Sequence, residues 1–391
     1  MKVLYILSST SMQSGSSKSF MIMLKKMHAM GVNPTVILPD TRGLYIELQT
    51  IGIPVYTYTY RMAVYPPYRS IHDILMWIPR LCGRIWVNFT AAKKLERLCH
   101  KIRPNIIHTN VSVIDIGYRA AQHLHIPHIW HIREYGDIDF HFRHYPTDAY
   151  QLARYRAKLS YTICITQDIQ RYNKLNDISS SRVIYNGILS DNFAKQETTC
   201  KENFFLFAGR VEPAKGVYEL LQAYYLYTLR VQVIWPLYIA GAICDKNYMQ
   251  RLQTIISKQN LEKQVIFLGE IKDIEEWERN ARAVIVPSIS EGFGRVMPET
   301  MYNKTLVIAH DTAGTKEQLD NGVRLTGEEI ALRYRFKEEL VQHLVDVSNS
   351  PNSQYQQVIE RAYFTVSQLY TSEQHAKQVF QFYQDICSNN F

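Results

Sequence analysis

The chain has 391 residues, of which 46% are hydrophobic and 20% are charged, with a formal net charge of +8. This length favours two domains over one, and the composition excludes a disordered or low-complexity protein. The six cysteines form no CxxC pair and show no zinc spacing, so we interpret them as reduced thiols.

The first half of the chain alternates short apolar runs with helical patterns. Residues 3–7 predict a buried strand, because the run is too short for a signal peptide, and a cytoplasmic location follows by default. The Ser-rich loop after it contains Gly15 but no GxGxxG dinucleotide fingerprint. Further strands are predicted at 35–38, 54–60, 106–108, 127–131, 161–166 and 182–185, with helices at 18–30, 45–51, 71–101, 114–123 and 148–160. This alternation indicates a parallel α/β sheet.

The positive charge lies in this first half. Residues 1–200 have a net charge of +11, whereas residues 201–391 have a net charge of −3. This asymmetry favours an anionic partner: a membrane surface, a phosphorylated lipid or nucleic acid. Residues 71–89 mix apolar and charged side chains, so no uninterrupted transmembrane span is predicted. The segment is typical either of a membrane interface or of surface helices with one buried face, and both interpretations stay open here.

A polar segment, residues 187–203, predicts a linker. The alternation restarts after it, which predicts one α/β domain over residues 1–186 and a second over residues 204–370. The strands of the second are predicted at 204–208, 237–240, 265–268, 283–286 and 306–309, with helices at 217–229, 248–258, 273–281, 299–303, 337–350 and 352–368. A last helix, at about 372–386, lies in the segment 371–391 and is expected to cross back to the first domain.

The stretch PSISEGFGRVMPE, residues 287–299, follows a predicted strand and precedes a predicted helix. A loop at a helix start offers backbone N–H groups to an anion, and Gly292 and Gly294 let a ligand approach closely. Carboxylates only accept hydrogen bonds when ionised, so Glu291 and Glu299 suit the hydroxyl groups of a sugar or a ribose. The pattern suggests a sugar nucleotide.

A second loop, GRVEPAKG, also lies between a predicted strand and a predicted helix. Its Arg210 and Lys215 are suited to clamp a pyrophosphate. They could stabilise a departing phosphate in place of a metal ion. The alternative is a surface loop with two solvated charges.

Three other patterns are weaker. The run HLHIPHIWH suggests a zinc site, but strand alternation places its imidazoles on opposite faces. The DxD pair Asp137 and Asp139 is found in metal-dependent sugar transferases and also by chance. His131 and His108 each end a strand, where parallel sheets bind ligands, although either could be a packed imidazole.

Together these motifs resemble the retaining glycosyltransferases of family 4, which have the GT-B fold. The resemblance covers most of the chain and is strongest over residues 186–322. EGFGRVMPE matches the family's E-x7-E motif, and GRVEPAKG matches its Gly-Arg…Lys-Gly segment. It implies two Rossmann-like domains facing each other across a cleft, with the nucleotide sugar on the second domain and the acceptor on the first.

The resemblance also implies a role for single residues. Arg210 and Lys215 would contact the donor diphosphate, Glu291 would face the donor sugar, and Glu299 would hold the ribose hydroxyls. His131 falls near the anomeric centre. The implied catalytic residues are His131, Glu291, Arg210 and Lys215. The implied donor-binding residues are Gly15, Arg210, Lys215, Glu291, Gly292, Phe293, Gly294, Arg295 and Glu299, those at 293–295 through backbone N–H groups.

The chain departs from the family pattern at several loops. Gly15 matches the glycine loop that closes over the phosphates, but Ser14 replaces its first glycine. The helix after Glu299 lacks the usual glycine end, so either Asn303 adopts the left-handed conformation there or the turn differs from the family's. A double glycine is reduced to a single one, Gly314. These departures concern loop geometry more than the class of site.

The resemblance implies hexose transfer with retention, without metal or other cofactor, by a front-face pathway. UDP is the favoured donor nucleotide and GDP the second. The expected acceptor is a polyprenyl-diphosphate-linked saccharide of bacterial capsule, O-antigen or exopolysaccharide assembly, reached by peripheral contact with the anionic inner face of the plasma membrane. The alternatives are a non-catalytic nucleotide-sugar-binding subunit and a non-hydrolysing sugar-nucleotide epimerase. No nucleic-acid motif accompanies the basic charge, so nucleic acid is not an expected partner.

Overall fold

The computed structural model describes residues 1–11, 14–68, 70–188 and 201–388. These residues form two compact units, one of Met1–Gly187 with Ser372–Phe391 and one of Ile188–Thr371. Each unit is built on a parallel sheet with helices between its strands, so the predicted fold class is confirmed. Most of the predicted linker, residues 187–203, lies outside the described residues.

Seven parallel strands form the sheet of the first unit. They are β1 (Lys2–Ile6), β2 (Asn33–Leu38), β3 (Val55–Thr57), β4 (Ile106–Thr109), β5 (His128–Ile132), β6 (Ser160–Cys164) and β7 (Ser181–Val183). Their order is β3-β2-β1-β4-β5-β6-β7. The chain therefore places β2 and β3 on one side of β1 and the strands from β4 onward on the other, and such a reversal creates a crevice at the carboxyl ends of β1 and β4.

In the described part of the first unit, eight α-helices connect these strands. They are α1 (Gly15–Ala29), α2 (Leu44–Thr50), α3 (Ile71–Leu75), α4 (Trp77–Ile102), α5 (Ile116–Leu124), α6 (Asp137–Phe140), α7 (Asp148–Tyr155) and α8 (Gln167–Tyr172). Helix α1 begins where the Ser14 hydroxyl accepts a hydrogen bond from the Ser17 backbone N–H at 3.2 Å, which satisfies one of the free donors at the helix start. The single helical region predicted over 71–101 is two helices that meet at Met76.

Six parallel strands form the sheet of the second unit. They are β8 (Glu202–Ala208), β9 (Leu237–Ala240), β10 (Val265–Gly269), β11 (Ala281–Val286), β12 (Leu306–His310) and β13 (Leu332–Tyr334). The order is β10-β9-β8-β11-β12-β13, so the chain reverses direction across the sheet between β8 and β11. All six side chains of β11 are buried, as expected for a central strand covered on both faces.

Among the described residues, seven α-helices belong to the second unit and one more follows it. They are α9 (Val217–Thr228), α10 (Lys246–Lys258), α11 (Ile274–Asn280), α12 (Val296–Tyr302), α13 (Ala313–Thr326), α14 (Lys337–Asn349), α15 (Gln356–Leu369) and α16 (Ser372–Ser388). Helix α16 packs in the first unit, where Val379, Phe382 and Tyr383 join the core formed by β1, β2 and α1. In the part of the chain that the structure describes, no helix combines the length and apolar character needed to cross a bilayer.

The sequence patterns did not predict α13 and β13. The helix contains Gly314, Asn321 and Gly322, which are all poor helix formers. Tertiary packing requires the small residues: a Cβ on Gly322 would lie 2.6 Å from Ile330 Cγ1. Close packing therefore outweighs the low intrinsic helix preference of this segment.

Of the two alternatives for the end of α12, the structure has the different turn. Asn303 has φ −72°, whereas Lys304 adopts the left-handed conformation with φ 52°. The Asn303 amide instead donates to the buried Glu278 carboxyl at 2.7 Å. This contact requires Asn303 to keep its helical backbone, so the left-handed turn falls one residue later.

Candidate functional site

Two loops meet where the second sheet reverses direction. One follows β8 and carries Arg210 and Lys215, and the other follows β11 and carries Glu291. They are joined by a hydrogen bond of 2.9 Å from the Ile289 backbone N–H to the Ala214 carbonyl. The carboxyl ends of the two strands at such a reversal are the usual position of a ligand crevice in parallel α/β sheets.

Lys215 and Glu291 form an ion pair across these loops. Lys215 closes a single turn of 3-10 helix, Pro213–Lys215, that ends at Gly216 with φ 69°. A Cβ on Gly216 would overlap the Pro287 carbonyl oxygen, so only glycine allows the two loops to approach this closely. Glu291 also accepts a hydrogen bond from the Ser288 hydroxyl at 3.0 Å.

A second ion pair joins Arg295 and Glu299 on the first turns of α12, with 2.6 Å between Nη2 and Oε1. Arg295 also donates to the Ile188 carbonyl at 3.4 Å. Both side chains are less than a quarter exposed, which favours a defined geometry over a freely moving surface pair. We call Lys215–Glu291 and Arg295–Glu299 the loop ion pairs.

Helix α13 supports the loop between the two glutamates. Its Gln318 donates to the carbonyls of Phe293 and Gly294, the latter at 3.3 Å. The Gly314 N–H donates to the Glu291 carbonyl at 2.9 Å, and a Cβ on Gly314 would lie 2.6 Å from the Gly292 oxygen. Gln318 was not identified from the sequence, because α13 was not predicted. The signal in the sequence that could have pointed to this support was Gly314.

Arg210 differs from the other predicted donor residues. It is 52% exposed and pairs with Glu212 at 2.8 Å. The strand end beside it needs a further glycine, Gly241, because a Cβ there would overlap the Gly209 carbonyl oxygen. Gly241 follows β9. Its importance could not be predicted from the sequence, because it depends on the close approach of its backbone to Gly209 in the folded sheet.

A buried carboxyl lies behind α12. Burial, and then repulsion from Glu299, raise the pKa of Glu278 to about 8. The group is therefore protonated in the folded protein at neutral pH and accepts a hydrogen bond from the Asn303 amide. Because Glu278 is neutral, it does not repel the Glu299 carboxylate, which pairs with Arg295.

Two predicted site residues, His131 and Gly15, belong to the first unit and not to the unit that carries these loops. His131 on β5 is fully buried, with its Nδ1 3.1 Å from His108 Nε2. Burial lowers the pKa of His131 well below its usual range, with a further contribution from Arg133, so the imidazole is neutral. Gly15 is the first residue of α1. The assignment of His131 to the anomeric centre stays a prediction.

The weaker metal patterns have structural partners instead. Asp137 accepts a hydrogen bond from the Tyr172 hydroxyl at 2.6 Å, and Asp139 accepts one from the Tyr135 backbone N–H at 2.9 Å. His128 is 2.8 Å from the Thr109 hydroxyl, on the opposite side of β5 from His131. Among the described residues, no three His, Cys, Asp or Glu side chains are grouped to hold a metal ion.

Two family models match the chain. Residues 190–363 match the model described as "Glycosyl transferases group 1", and residues 14–191 match "Glycosyltransferase Family 4". Together they cover residues 14–363 and include every predicted site residue.

Curated relatives resemble part of the chain. The lipopolysaccharide core biosynthesis mannosyltransferase LpcC of Rhizobium leguminosarum is 29% identical over 116 residues, which are 29% of this chain and 33% of the relative. The O-antigen chain mannosyltransferase RfbU of Salmonella typhimurium is 29% identical over 149 residues, 37% of this chain and 40% of the relative. The chain thus spans about two fifths or less of the length of these relatives.

Solved structures resemble the whole chain. The Anabaena protein Alr3699/HepE, in complex with UDP and glucose, has a TM-score of 0.74 at 19% identity, over 98% of this chain and 100% of that one. A glycosyltransferase from Rickettsia africae has a TM-score of 0.75 at 17% identity, over 99% of each chain. At these identities the likeness shows a shared fold.

Proposed function

Because the chain belongs to glycosyltransferase family 4, we propose that it transfers a hexose from a nucleotide sugar to a hydroxyl group of a lipid-linked saccharide during cell-surface polysaccharide synthesis. We further propose that the transfer retains the configuration at the anomeric carbon and needs no metal ion. The observation that carries the proposal is the arrangement of the two loop ion pairs where the second sheet reverses direction.

The loops supply the groups that diphosphate transfer needs. Arg210 and Lys215 neutralise the charge that grows on the departing diphosphate, which is the role a metal ion has in other transferases. Glu291 accepts hydrogen bonds from sugar hydroxyls, and Glu299 accepts them from the ribose. These carboxylates are already oriented by Ser288 and Arg295, so little reorganisation is needed on binding.

In the proposed front-face step the bond between the anomeric carbon and the phosphate oxygen breaks. A bond from the acceptor oxygen to the same carbon forms on the same face of the sugar. The acceptor proton passes to an oxygen of the departing nucleoside diphosphate. Arg210 and Lys215 hold that diphosphate in place, so no protein carboxylate has to become a nucleophile.

The nucleotide and the sugar are proposed from the relatives. UDP is favoured because the similar HepE structure contains UDP and glucose. Mannose is the second candidate, carried by GDP, because LpcC and RfbU are both mannosyltransferases. Their names also place those two relatives in lipopolysaccharide and O-antigen synthesis, which supports a saccharide acceptor for this chain.

An exposed apolar surface supports membrane contact. Ile71 is 79% exposed, Leu75 is 74% exposed and Trp86 is 68% exposed, all on α3 and the first half of α4. Large apolar side chains clustered on one surface are typical of interaction sites, and the exposed Lys94 further along α4 is suited to anionic lipid. We propose that this surface, α3 with the first half of α4, contacts the inner face of the plasma membrane.

A donor panel tests the proposal. Purified protein is incubated with UDP and GDP sugars, an extracted lipid-linked saccharide pool and EDTA, and transfer is followed by mass spectrometry of the product. We expect one nucleotide sugar to be consumed in the presence of EDTA, with the α-linkage or β-linkage of the donor retained. Loss of transfer in EDTA contradicts metal independence, and absence of transfer from every donor contradicts the proposed function.

A further inference from the structure

A cavity of about 1130 Å³ lies in the first unit, at the carboxyl ends of β1 and β2. Its walls are the loop after β1, the loop after β2, the segment 60–68, the side of α4 and the segment 140–143. The volume is at the upper end of the range for small-molecule sites, so it suits a ligand larger than a single ion. Neither the family motifs nor the relatives' names assign any residue of this cavity.

The cavity carries an excess of positive charge. Four arginines line it: Arg42, Arg61, Arg84 and Arg143. Asp40 is the single carboxylate among the described lining residues. It is already occupied, because it pairs with Arg42 at 2.8 Å and accepts a hydrogen bond from the Thr10 hydroxyl at 2.7 Å. The described residues place no carboxylate within ion-pair distance of Arg61, Arg84 or Arg143.

Two of these three arginines, Arg61 and Arg84, are close enough to affect one another. Burial lowers the pKa of Arg84, and repulsion from Arg61 and Arg80 lowers it further. Within the described ranges, Arg84 donates only to a neutral acceptor, the Val64 carbonyl, at 2.8 Å. A group of like charges without an anion is unfavourable in the free protein, so an anionic ligand would relieve a repulsion that is already present.

The walls that carry these arginines are held in place. Asn88 on α4 accepts a hydrogen bond from the Arg61 N–H at 2.8 Å and donates to the Arg61 carbonyl at 2.9 Å. The Tyr65 N–H donates to the Arg143 carbonyl at 2.9 Å, and the Tyr65 ring stacks on Trp77 with centroids 5.3 Å apart. The backbone at Arg61 and Arg143 is therefore fixed without a ligand, so that only their side chains have to be ordered on binding.

Helix α4 connects the cavity to the exposed apolar surface. Arg84 lines the cavity, whereas Ile85, Trp86 and Phe89 of the same helix are exposed. Aromatic rings also line the cavity, among them Tyr60 and Phe142, and such rings can pack on the C–H faces of sugars. A ligand with a sugar, an anionic group and an apolar tail would find a matching surface for each part.

We propose that this cavity, the arginine cavity, binds the diphosphate group of the saccharide acceptor through Arg61, Arg84 and Arg143. The identity of the ligand as the acceptor rests on the proposed function. The binding of a diphosphate in the cavity does not rest on it. The planar guanidinium groups provide paired N–H donors that match phosphate oxygens. The cavity would thereby hold the acceptor beside the membrane while its sugar hydroxyl is presented to the donor.

Calorimetric titration tests the proposal, with inorganic pyrophosphate and farnesyl diphosphate as probes and the donor site filled beforehand with UDP or GDP, whichever binds. Arg61 and Arg143 are exposed, so the double variant R61Q/R143Q is expected to fold. We expect it to weaken binding of both probes about 100-fold, since one lost charge-assisted contact is worth about tenfold. The matched control is R97Q, an exposed arginine of α4 outside the cavity, which should bind like the wild type.

Each outcome separates the two proposals. Equal probe affinity in R61Q/R143Q and the wild type, or no probe binding by the wild type, overturns the arginine cavity. Probe binding that depends on the arginines, in a protein that transfers no sugar, supports the cavity and counts against the proposed function. Much tighter binding of farnesyl diphosphate than of pyrophosphate supports a lipid-linked acceptor. Equal binding of the two supports the cavity with a water-soluble diphosphate as its ligand.

Discussion

The two units differ in whether their clustered positive side chains are paired with carboxylates. At the reversal of the second sheet, the cations are neutralised by carboxylates of the same loops, in the loop ion pairs. In the arginine cavity of the first unit, three arginines have no carboxylate partner among the described residues. A compensated site is preorganised by its own contacts and selects a ligand by geometry, whereas an uncompensated site attracts any anion that fits.

The largest effect is expected from breaking a loop ion pair. Glu291→Gln keeps the shape of the side chain but leaves Lys215 without its anion and, under the proposed function, weakens the bonds to the donor sugar. We expect the transfer rate to fall by about 10²–10³-fold, as for loss of one preorganised transition-state contact. Initial rates at saturating donor provide the measurement.

The control for this variant is Glu360→Gln, which breaks an exposed Lys304–Glu360 pair of 3.3 Å between the end of α12 and α15. Exposed pairs contribute about 0–1 kcal/mol, so this variant should keep wild-type transfer. If both variants transfer at the same rate, the paired carboxylate has no special role.

Glu278 differs from the paired carboxylates of the second unit. It is buried, and it is neutral because it is protonated, not because a cation pairs with it. Its pKa of about 8 in the folded protein exceeds the ordinary value of 4.5. Between those values the folded state holds a proton that the unfolded state releases, so this group lowers stability as the pH rises. Glu278→Gln removes that dependence. We expect the stability of the variant relative to the wild type to increase by about 3–4 kcal/mol from about pH 5 to about pH 8.

Urea unfolding at several pH values measures this difference. Glu275→Gln, an exposed substitution on the same helix α11, is the control and should run parallel to the wild type. Parallel curves for Glu278→Gln as well would show that the buried carboxyl does not hold a proton at neutral pH.

A smaller effect is expected from disturbing the support of the donor loop. Gly314→Ala places a Cβ 2.6 Å from the Gly292 oxygen, so the loop or α13 must move. We expect a loss of about 2 kcal/mol in stability and weaker UDP binding, in the range for overpacking. Gly83→Ala in α4 is the control, because no atom lies within 4 Å of the added carbon. It should leave UDP affinity unchanged and stabilise the helix slightly. Thermal unfolding with and without UDP separates the effect on stability from the effect on UDP binding. Equal changes in Tm for the two variants would contradict the packing argument.

The smallest effect compares the two sites directly. Salt screens charges that have no partner more than it alters compensated ones, because the Debye length falls from about 10 Å at 0.1 M to about 3 Å at 1 M. Over that range we expect pyrophosphate to lose about tenfold in affinity for the arginine cavity and UDP to lose about threefold. Titrations at both salt concentrations give the two slopes, and equal slopes would remove the distinction between the units.

Local patterns predicted most strands and the donor loops. Buried parallel strands are continuous apolar runs, and the glutamates and glycines of residues 287–299 are adjacent in sequence, so their loop was visible without the fold. The pairing of Lys215 with Glu291 was not visible, because it depends on two strands becoming neighbours. The same limit hid the arginine cavity, whose Arg61 and Arg143 are 82 positions apart.

The errors have physical causes as well. Helix α13 was missed because its glycines weaken the local signal, although those glycines are required by close packing. For the turn after α12 the sequence offered Asn303 or a different turn, and Asn303 was the candidate because Asn tolerates the left-handed conformation better than Lys. The hydrogen bond to Glu278 reversed that preference. Local propensity therefore failed where a tertiary contact used the same residue.

The position of α16 also affects how the chain folds during synthesis. The core of the first unit contains Val379 and Phe382, and the Tyr383 hydroxyl hydrogen-bonds His108 and Tyr5 inside it. A ribosome therefore makes most of that unit first, then the whole second unit, and only then the helix that completes the first core. Until that helix emerges, the nascent chain exposes an apolar surface around β1 and α1, and chaperones would be expected to bind there.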